Sequence, residues 1–153
     1  MIELQNVSKI YNQGDITEMC LFDNFSLTIP DGQFLSVVGS NGSGKTSLLN
    51  IICGSIPIEK GKVIIGGKDI TKVPEYKRYR TIGRVYQNPA MGTCPSFTIL
   101  ENMSLADNKN KRFGLTSGVN KKRIDYYRSE LASLGLGLED KLDVKVGSLS
   151  GGQ

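Results

Sequence analysis

Apolar residues recur along the chain in two rhythms, and the change falls near residue 88. Before it, short apolar runs are separated by Gly, Pro, Asn and Asp. "IELQNVSKIY" sets Ile2, Leu4 and Val7 in loose alternation, which predicts an edge strand of an antiparallel piece. "CLFDNFSLTI" carries two apolar runs around Asp23 and Asn24 and predicts a hairpin. After a turn at Pro30 to Gln33, "FLSVV" (Phe34 to Val38) is nearly all apolar, as in a strand buried on both faces of a parallel sheet. "TSLLNIIC", Thr46 to Cys53, predicts a helix closed by Gly54. "KVIIGGKDI" predicts a strand with a Gly66-Gly67 turn, and "TIGRVYQN" a further strand ending near Gln87. Beyond Pro89 helical spacing takes over. "SFTILENMSLA" predicts a helix capped by Ser96. "NKKRIDYYRSELASLGL" predicts a longer one, with Ile124, Tyr127, Leu131 and Leu134 on one apolar face.

Composition narrows the class. At 153 residues, with 39% hydrophobic and 22% charged residues, the chain has the make-up of about one globular domain. The net charge of +4 suits a polyanionic ligand but is too small to indicate nucleic acid, and no nucleic-acid partner is expected. "MIELQNVSKIY" has no charged-then-apolar leader, and no apolar run approaches the roughly 20 residues that span a bilayer, so a soluble chain is expected. Cys20, Cys53 and Cys94 form no C-x-x-C pair and read as reduced cytosolic thiols. The chain has no histidine, which removes the commonest general base and metal ligand.

One stretch carries recognisable chemistry. "GSNGSGKT" comprises Gly39, Ser40, Asn41, Gly42, Ser43, Gly44, Lys45 and Thr46, and fits G-x-x-x-x-G-K-[ST] between a buried-type strand and a helix. Glycines let the backbone turn tightly and bring N–H groups close to a phosphate chain. The helix that starts near Lys45, and includes Ser47, aims its positive end at the same place. The Lys45 ammonium can reach the β- and γ-phosphates, and the Thr46 hydroxyl can take one site on Mg²⁺. The loop alone therefore points to a nucleoside triphosphate, with ATP and Mg²⁺ as the expected ligands.

Three further matches, in order, make the chain resemble the ATP-binding subunit of an ATP-binding-cassette (ABC) transporter along nearly its whole length. "LSGGQ", Leu149 to Gln153, matches that family's signature motif; Gln87 in "VYQN" matches its Q-loop glutamine; and Tyr11 lies where the family places an aromatic that stacks on adenine. The resemblance implies an α/β P-loop NTPase fold of the ABC type: an antiparallel β piece and a parallel α/β core, joined to a helical subdomain. It divides the chain into a nucleotide-binding core with phosphate loop and Q-loop (residues 1–88), a helical subdomain (89–148), and the start of a signature helix (149–153). It implies that Gln87 contacts Mg²⁺ and water. Ser150, Gly151, Gly152 and Gln153 would act on ATP held by a second subunit in a head-to-tail dimer. Tyr11 also reads as an ordinary strand-end tyrosine, and Gln87 as a surface residue.

The family's pattern continues past the signature with an Asp and Glu that hold Mg²⁺ and orient the attacking water, and then a histidine. The chain stops at Gln153, so it is read as a C-terminally incomplete fragment that binds ATP without turning it over. In the family the segment after the Q-loop docks on a membrane-spanning subunit, on the inner face of the cell membrane. Here Met91, Cys94, Pro95 and Phe97 are candidates for that patch, or Phe97, Ile99 and Leu100 simply close a small core. "MGTCPS" also resembles ATP subunits of importers that use an extracytoplasmic solute-binding protein, some proposed for aromatic amino acids. The basic clusters Lys109 to Arg112 and Lys121 to Arg123 read first as solvated charge, then as neighbours of anionic lipid. The rival reading is a soluble ABC ATPase acting on ribosomes or DNA; such proteins usually carry two cassettes or long coiled-coil insertions, and no heptad run lies between Gln87 and Leu149.

Overall fold

The computed structural model describes residues 1–109, 111, 114 and 118–152, which divide into two compact units, Met1–Ile82 and Gly83–Gln153. Arg112 of the first basic cluster and Gln153 of the signature lie outside the described residues.

The first unit is a four-stranded antiparallel sheet with one helix on its apolar face. β1 (Ile2–Tyr11), β2 (Met19–Ile29), β3 (Lys60–Ile65) and β4 (Lys68–Asp69) lie in the order β2-β1-β3-β4. β1 is thus internal, not the expected edge strand, because β3 returns after the helix to pair with its free side. β2 is one continuous strand, not a hairpin. Asn24 takes φ 51, a conformation Asn tolerates, and the chain absorbs it as an irregularity instead of reversing. The Gly66-Gly67 turn between β3 and β4 forms as expected, with φ 55 and 75, both positive as a two-residue type I′ hairpin requires.

A bulge in β1 decides which of its side chains face inward. Leu4 pairs with Leu27, but the next partners are Val7 and Phe25, and Asn6 between them takes φ 49. The Asn6 N–H donates to Ser26 Oγ at 2.9 Å, and that hydroxyl donates to Asn6 Oδ1 at 3.1 Å. The extra residue shifts the alternation: Ile2 and Leu4 face the core before it, Val7 and Lys9 after it, with Tyr11 next in that series. α1 (Lys45–Cys53) covers this face, and Leu4, Val7, Leu48, Ile51, Ile52 and Val63 form the core.

Phe34 to Val38 forms no strand. Phe34 is 94% and Val38 88% exposed. Thr81 to Asn88 likewise forms none. A strand buried on both faces needs a neighbour on each edge, and every strand pair among the described residues is antiparallel and lies in the other sheet.

A short α2, Glu75–Arg78, lies in the first unit; in the second unit, α3 spans Ile99–Asp107 and α4 Ile124–Ala132, the latter preceded by a 3₁₀ turn at Lys121–Arg123. The α3 cap is Thr98, not Ser96. Its hydroxyl accepts the Glu101 N–H at 3.2 Å, while the Glu101 carboxylate accepts the Thr98 N–H at 2.7 Å, a reciprocal capping box. α4 is no longer than α3. It stops at Ala132, before glycines 135 and 137 with φ 67 and 64, which leaves Leu134 exposed while Tyr127 and Leu131 are buried. Ile99, Leu131, Leu138 and Leu142 make this unit's core, with Leu100 packed against it; Phe97 and Met91 stay exposed. An irregular ladder joins the start of α3 to the segment leading into "LSGGQ": Leu100 N–H to Leu142 O, Ile99 N–H to Val144 O, Val146 N–H to Phe97 O and Gly147 N–H to Pro95 O, at 2.9–3.0 Å.

Candidate nucleotide-binding site

The phosphate loop of the first unit leads directly into α1. Gly44 is the N-cap, with φ 89, and a Cβ there would sit 3.0 Å from the Leu21 methyl of β2. Only glycine meets both demands without strain. No side chain caps this helix start, so the N–H groups of its first turn open toward the loop. The Lys45 ammonium donates to the Gly39 carbonyl at 2.8 Å and the Ser40 carbonyl at 2.6 Å, and touches Ser43 Oγ at 3.5 Å. It is therefore held over the loop it closes. The Ser43 N–H bonds the Ser40 carbonyl at 3.2 Å, and Asn41 and Gly42 form the exposed tip. Thr46 lies exposed in the first helical turn. Its hydroxyl, hard and neutral, is the donor type Mg²⁺ takes alongside water and phosphate, and no cluster of three acidic, Cys or His residues exists among the described residues to offer a protein cage instead.

The β1 bulge brings Tyr11 to this helix: its hydroxyl lies 3.4 Å from Ser47 Oγ. Beneath Tyr11 is a pair that no motif or periodicity singles out. Lys9, only 7% exposed, donates to Glu59 Oε1 at 2.6 Å, and its ammonium sits 5.1 Å from the centre of the Tyr11 ring. The Ile10 N–H donates to Glu59 Oε2 at 3.0 Å. Desolvation pushes the Glu59 carboxyl up, but the Lys9 hydrogen bond and charge, with the Ile10 N–H, outweigh it and leave the carboxyl below its ordinary value. The pair's contribution to stability is thus complete above the unfolded carboxylate's pKa and is lost as pH falls through the lower folded value.

Arg78 is a third residue that the sequence does not single out. It is buried in α2 (Glu75–Arg78) and donates to four backbone carbonyls, Ile51, Ile52, Thr71 and Val73, at 2.8–3.0 Å. Two of these are C-terminal carbonyls of α1, where a cation also answers the helix dipole. Desolvation holds its pKa below the ordinary guanidinium value, against smaller upward effects of Cys53 and Glu75. "PEYKRYR" carries several basic residues and no periodic signal that separates this one from its neighbours.

Gln87 and the signature residues belong to the second unit. Gln87 is exposed, and the following Asn88 caps a short 3₁₀ turn, Pro89–Met91, by accepting the Ala90 N–H at 3.1 Å. Asn102 of α3 clamps the rest of that loop. Its Oδ1 accepts the Cys94 N–H at 2.8 Å, and its amide donates to the Cys94 and Thr98 carbonyls at 3.1 and 3.0 Å. Leu149 is extended, Ser150 is exposed, and Gly151 and Gly152 form a turn. The expected signature helix does not begin among the described residues. A helix closes its first bond four residues on, and the described residues reach only Gly152. A cavity of about 230 Å³ separates the two segments, lined by Asn88, Thr93, Pro95, Gly147 and Ser150 among others. A larger polar groove of about 570 Å³, along Gln5, Asn6, Asp23 and Lys60, holds none of the expected site residues.

The sequence profile described as "ABC transporter" matches residues 22–153. The chain belongs to the ABC transporter family. It is 42% identical over 153 residues to a tyrosine transport ATP-binding protein of Clostridioides difficile (strain R20291), covering 100% of this chain and 61% of that one. It is 35% identical to the spermidine/putrescine import ATP-binding protein PotA of Mannheimia succiniciproducens, covering 100% of this chain and 36% of the relative. Among solved structures, the ABC cassette MJ0796 in a dimeric post-hydrolysis state bound to ADP and Pi superposes with a TM-score of 0.80 at 29% identity, over 100% of this chain and 65% of that one. A nucleotide-free ATP-binding cassette from an ABC transporter matches with a TM-score of 0.73 at 26% identity, over 100% and 60%. The fold is that of an ABC cassette, and the chain spans less than two thirds of the length of these relatives. No helix among the described residues is long and apolar enough to cross a membrane.

Proposed function

We propose that this ABC chain binds Mg-ATP as part of the energy-coupling subunit of a membrane importer. The observation that carries the reading is the arrangement at α1: an uncapped helix start, a glycine-permitted loop and the Lys45 ammonium held over it. In this reading Gly39 to Ser47 wrap the triphosphate, Tyr11 stacks on the adenine, and the Thr46 hydroxyl would take a place on Mg²⁺, which would screen the phosphate charge. Ser150, Gly151, Gly152 and Gln153 act on the ATP of a second, head-to-tail subunit; the dimeric MJ0796 cassette supports that assembly. The intact subunit hydrolyses ATP at the inner face of the cell membrane, on membrane-spanning subunits served by an extracytoplasmic solute-binding protein. The tyrosine transport relative supports an aromatic amino acid as the solute. Recovery of the subunit in a detergent-solubilised complex with a polytopic membrane protein is the expected result; recovery with ribosomes or DNA would replace transport by the rival reading.

Residues 1–153, produced alone, bind ATP but release no phosphate above background, because this stretch holds no histidine to act on the attacking water or the γ-phosphate. A coupled phosphate-release assay checks this; steady turnover lost in a Lys45 variant would show that the hydrolytic groups lie within these residues.

Gly151→Asp, placed in a chain extended through the hydrolytic residues, leaves monomer ATP binding intact and blocks ATP-dependent dimerisation. An added carboxylate would face the partner's γ-phosphate at about 4 Å, an opposition of like charges of several kcal/mol at an effective dielectric near 20. Size-exclusion chromatography with ATP, beside a monomer titration, reads both effects. Equal loss of monomer binding would mean that the signature acts in cis.

A further inference from the structure

We propose that Lys9, tethered by Glu59, is a positioning residue for the nucleotide base: it braces one face of the Tyr11 ring and leaves the opposite face as the stacking platform. The inference rests on the reading of Tyr11 as the adenine platform and goes beyond it by naming what aims the ring. A lysine this buried is rare unless paired, and Lys9 has its pair in Glu59 at 2.6 Å. Its ammonium lies 5.1 Å from the ring centre, inside the range where a cation is attracted to an aromatic face.

Three contacts then limit the ring. Lys9 covers one face, the hydroxyl meets Ser47 of α1, and Glu59 fixes the strand itself by accepting the Ile10 N–H beside it. Glu59 is in turn anchored where its own N–H bonds the Ser8 carbonyl at 3.1 Å. A ring fixed at one face and at its tip has a single face left for a base. Its distance from the phosphate loop is set through Ser47, two residues after Lys45. A cation on the covered face also draws electron density from the ring, which eases the approach of a second π system to the open face.

A purely structural ion pair would stiffen the sheet and leave base recognition unchanged, so the two roles separate by experiment. The readout is the ratio of affinities for Mg-ATP and for Mg-tripolyphosphate, which lacks base and sugar, measured by calorimetry beside thermal unfolding. In the unaltered chain the base raises affinity, and Tyr11→Ala removes about ten-fold of that ratio. Lys9→Met and Glu59→Gln each lower the ratio about three-fold or more, and Lys9→Arg, which keeps a cation over the ring, restores most of it. If Tyr11→Ala lowers the ratio while Lys9→Met and Glu59→Gln lower only the unfolding temperature, the platform stands and the positioning role of Lys9 is overturned. If Tyr11→Ala leaves the ratio unchanged, the platform falls and this inference with it. Should Lys9→Met not fold, Glu59→Gln decides on the same ratio, because it removes the tether and keeps an acceptor for the Ile10 N–H.

Discussion

Lys45→Ala lowers Mg-ATP affinity by about ten- to a hundred-fold, since it deletes a charge-assisted contact of roughly 1.5–3 kcal/mol and each 1.4 kcal/mol is ten-fold. The geometry makes the effect local. Lys45 spends its donors on the Gly39 and Ser40 carbonyls of its own loop, both in exposed residues that water can serve when the ammonium is gone. Thermal stability without nucleotide is therefore nearly unaffected. The stabilisation that ATP confers shrinks with the affinity, as mass action requires. Calorimetric titration and ATP-dependent unfolding shifts measure the two sides of the same linkage. Unchanged affinity would remove the phosphate-loop assignment.

Arg78→Met has the opposite profile. It destabilises the first unit by about 2–5 kcal/mol, since a buried carbonyl left without its donor costs roughly 1–3 kcal/mol. The loss comes from the carbonyls, not from the arginine. Ile51 and Ile52 are buried, and their carbonyls each lose a donor at 2.9–3.0 Å, although the Ile51 carbonyl keeps the Gly54 N–H at 3.2 Å. Total domain stability is commonly only about 5–15 kcal/mol, so the change consumes a large share of it. Arg78→Lys recovers part, because an ammonium can reach one or two of the four carbonyls but lacks the planar fork that reaches all of them. Chemical denaturation read by far-UV circular dichroism checks the series. A shift below about 1 kcal/mol for Arg78→Met would show that the Arg78 hydrogen bonds to Ile51 and Ile52 do not hold the end of α1.

The parts of the fold that were legible in sequence are those set by local rules. The Gly44 and Gly54 ends of α1, the Gly66-Gly67 hairpin and the helical period around Tyr127 and Leu131 each follow from a residue acting within its own turn. The glycine turn at Gly44 that leads into α1 was legible for the same reason. Pairing was not. Whether β1 is an edge or a centre depends on β3, more than fifty residues away, and Asn24 reads as a turn until cross-strand bonds hold it straight. The cap of α3 went to Thr98 over Ser96 because Glu101 lies three residues after Thr98 and completes the reciprocal bonds. At the site, Lys9, Glu59 and Arg78 were invisible because a lone Lys, Glu or Arg in a mixed sequence looks like surface charge. Their burial is created by the Asn6 bulge and by the tuck of α2 against the end of α1.

The bare segment Phe34 to Val38 has a consequence for handling the chain. "FLSVV" is uncharged, free of proline and glycine and rich in β-branched or aromatic residues, the composition of sequences that stack into cross-β aggregates. Exposed at both Phe34 and Val38, with no strand pairing, it offers a sticky ribbon to any other chain. Asp31 stands as a gatekeeper on one side; glycine and serine, which carry no charge, follow on the other. Overexpressed as these residues alone, the chain is driven toward inclusion bodies. Its yield of dispersed material rises when a β-strand supplied in cis or in trans covers that ribbon.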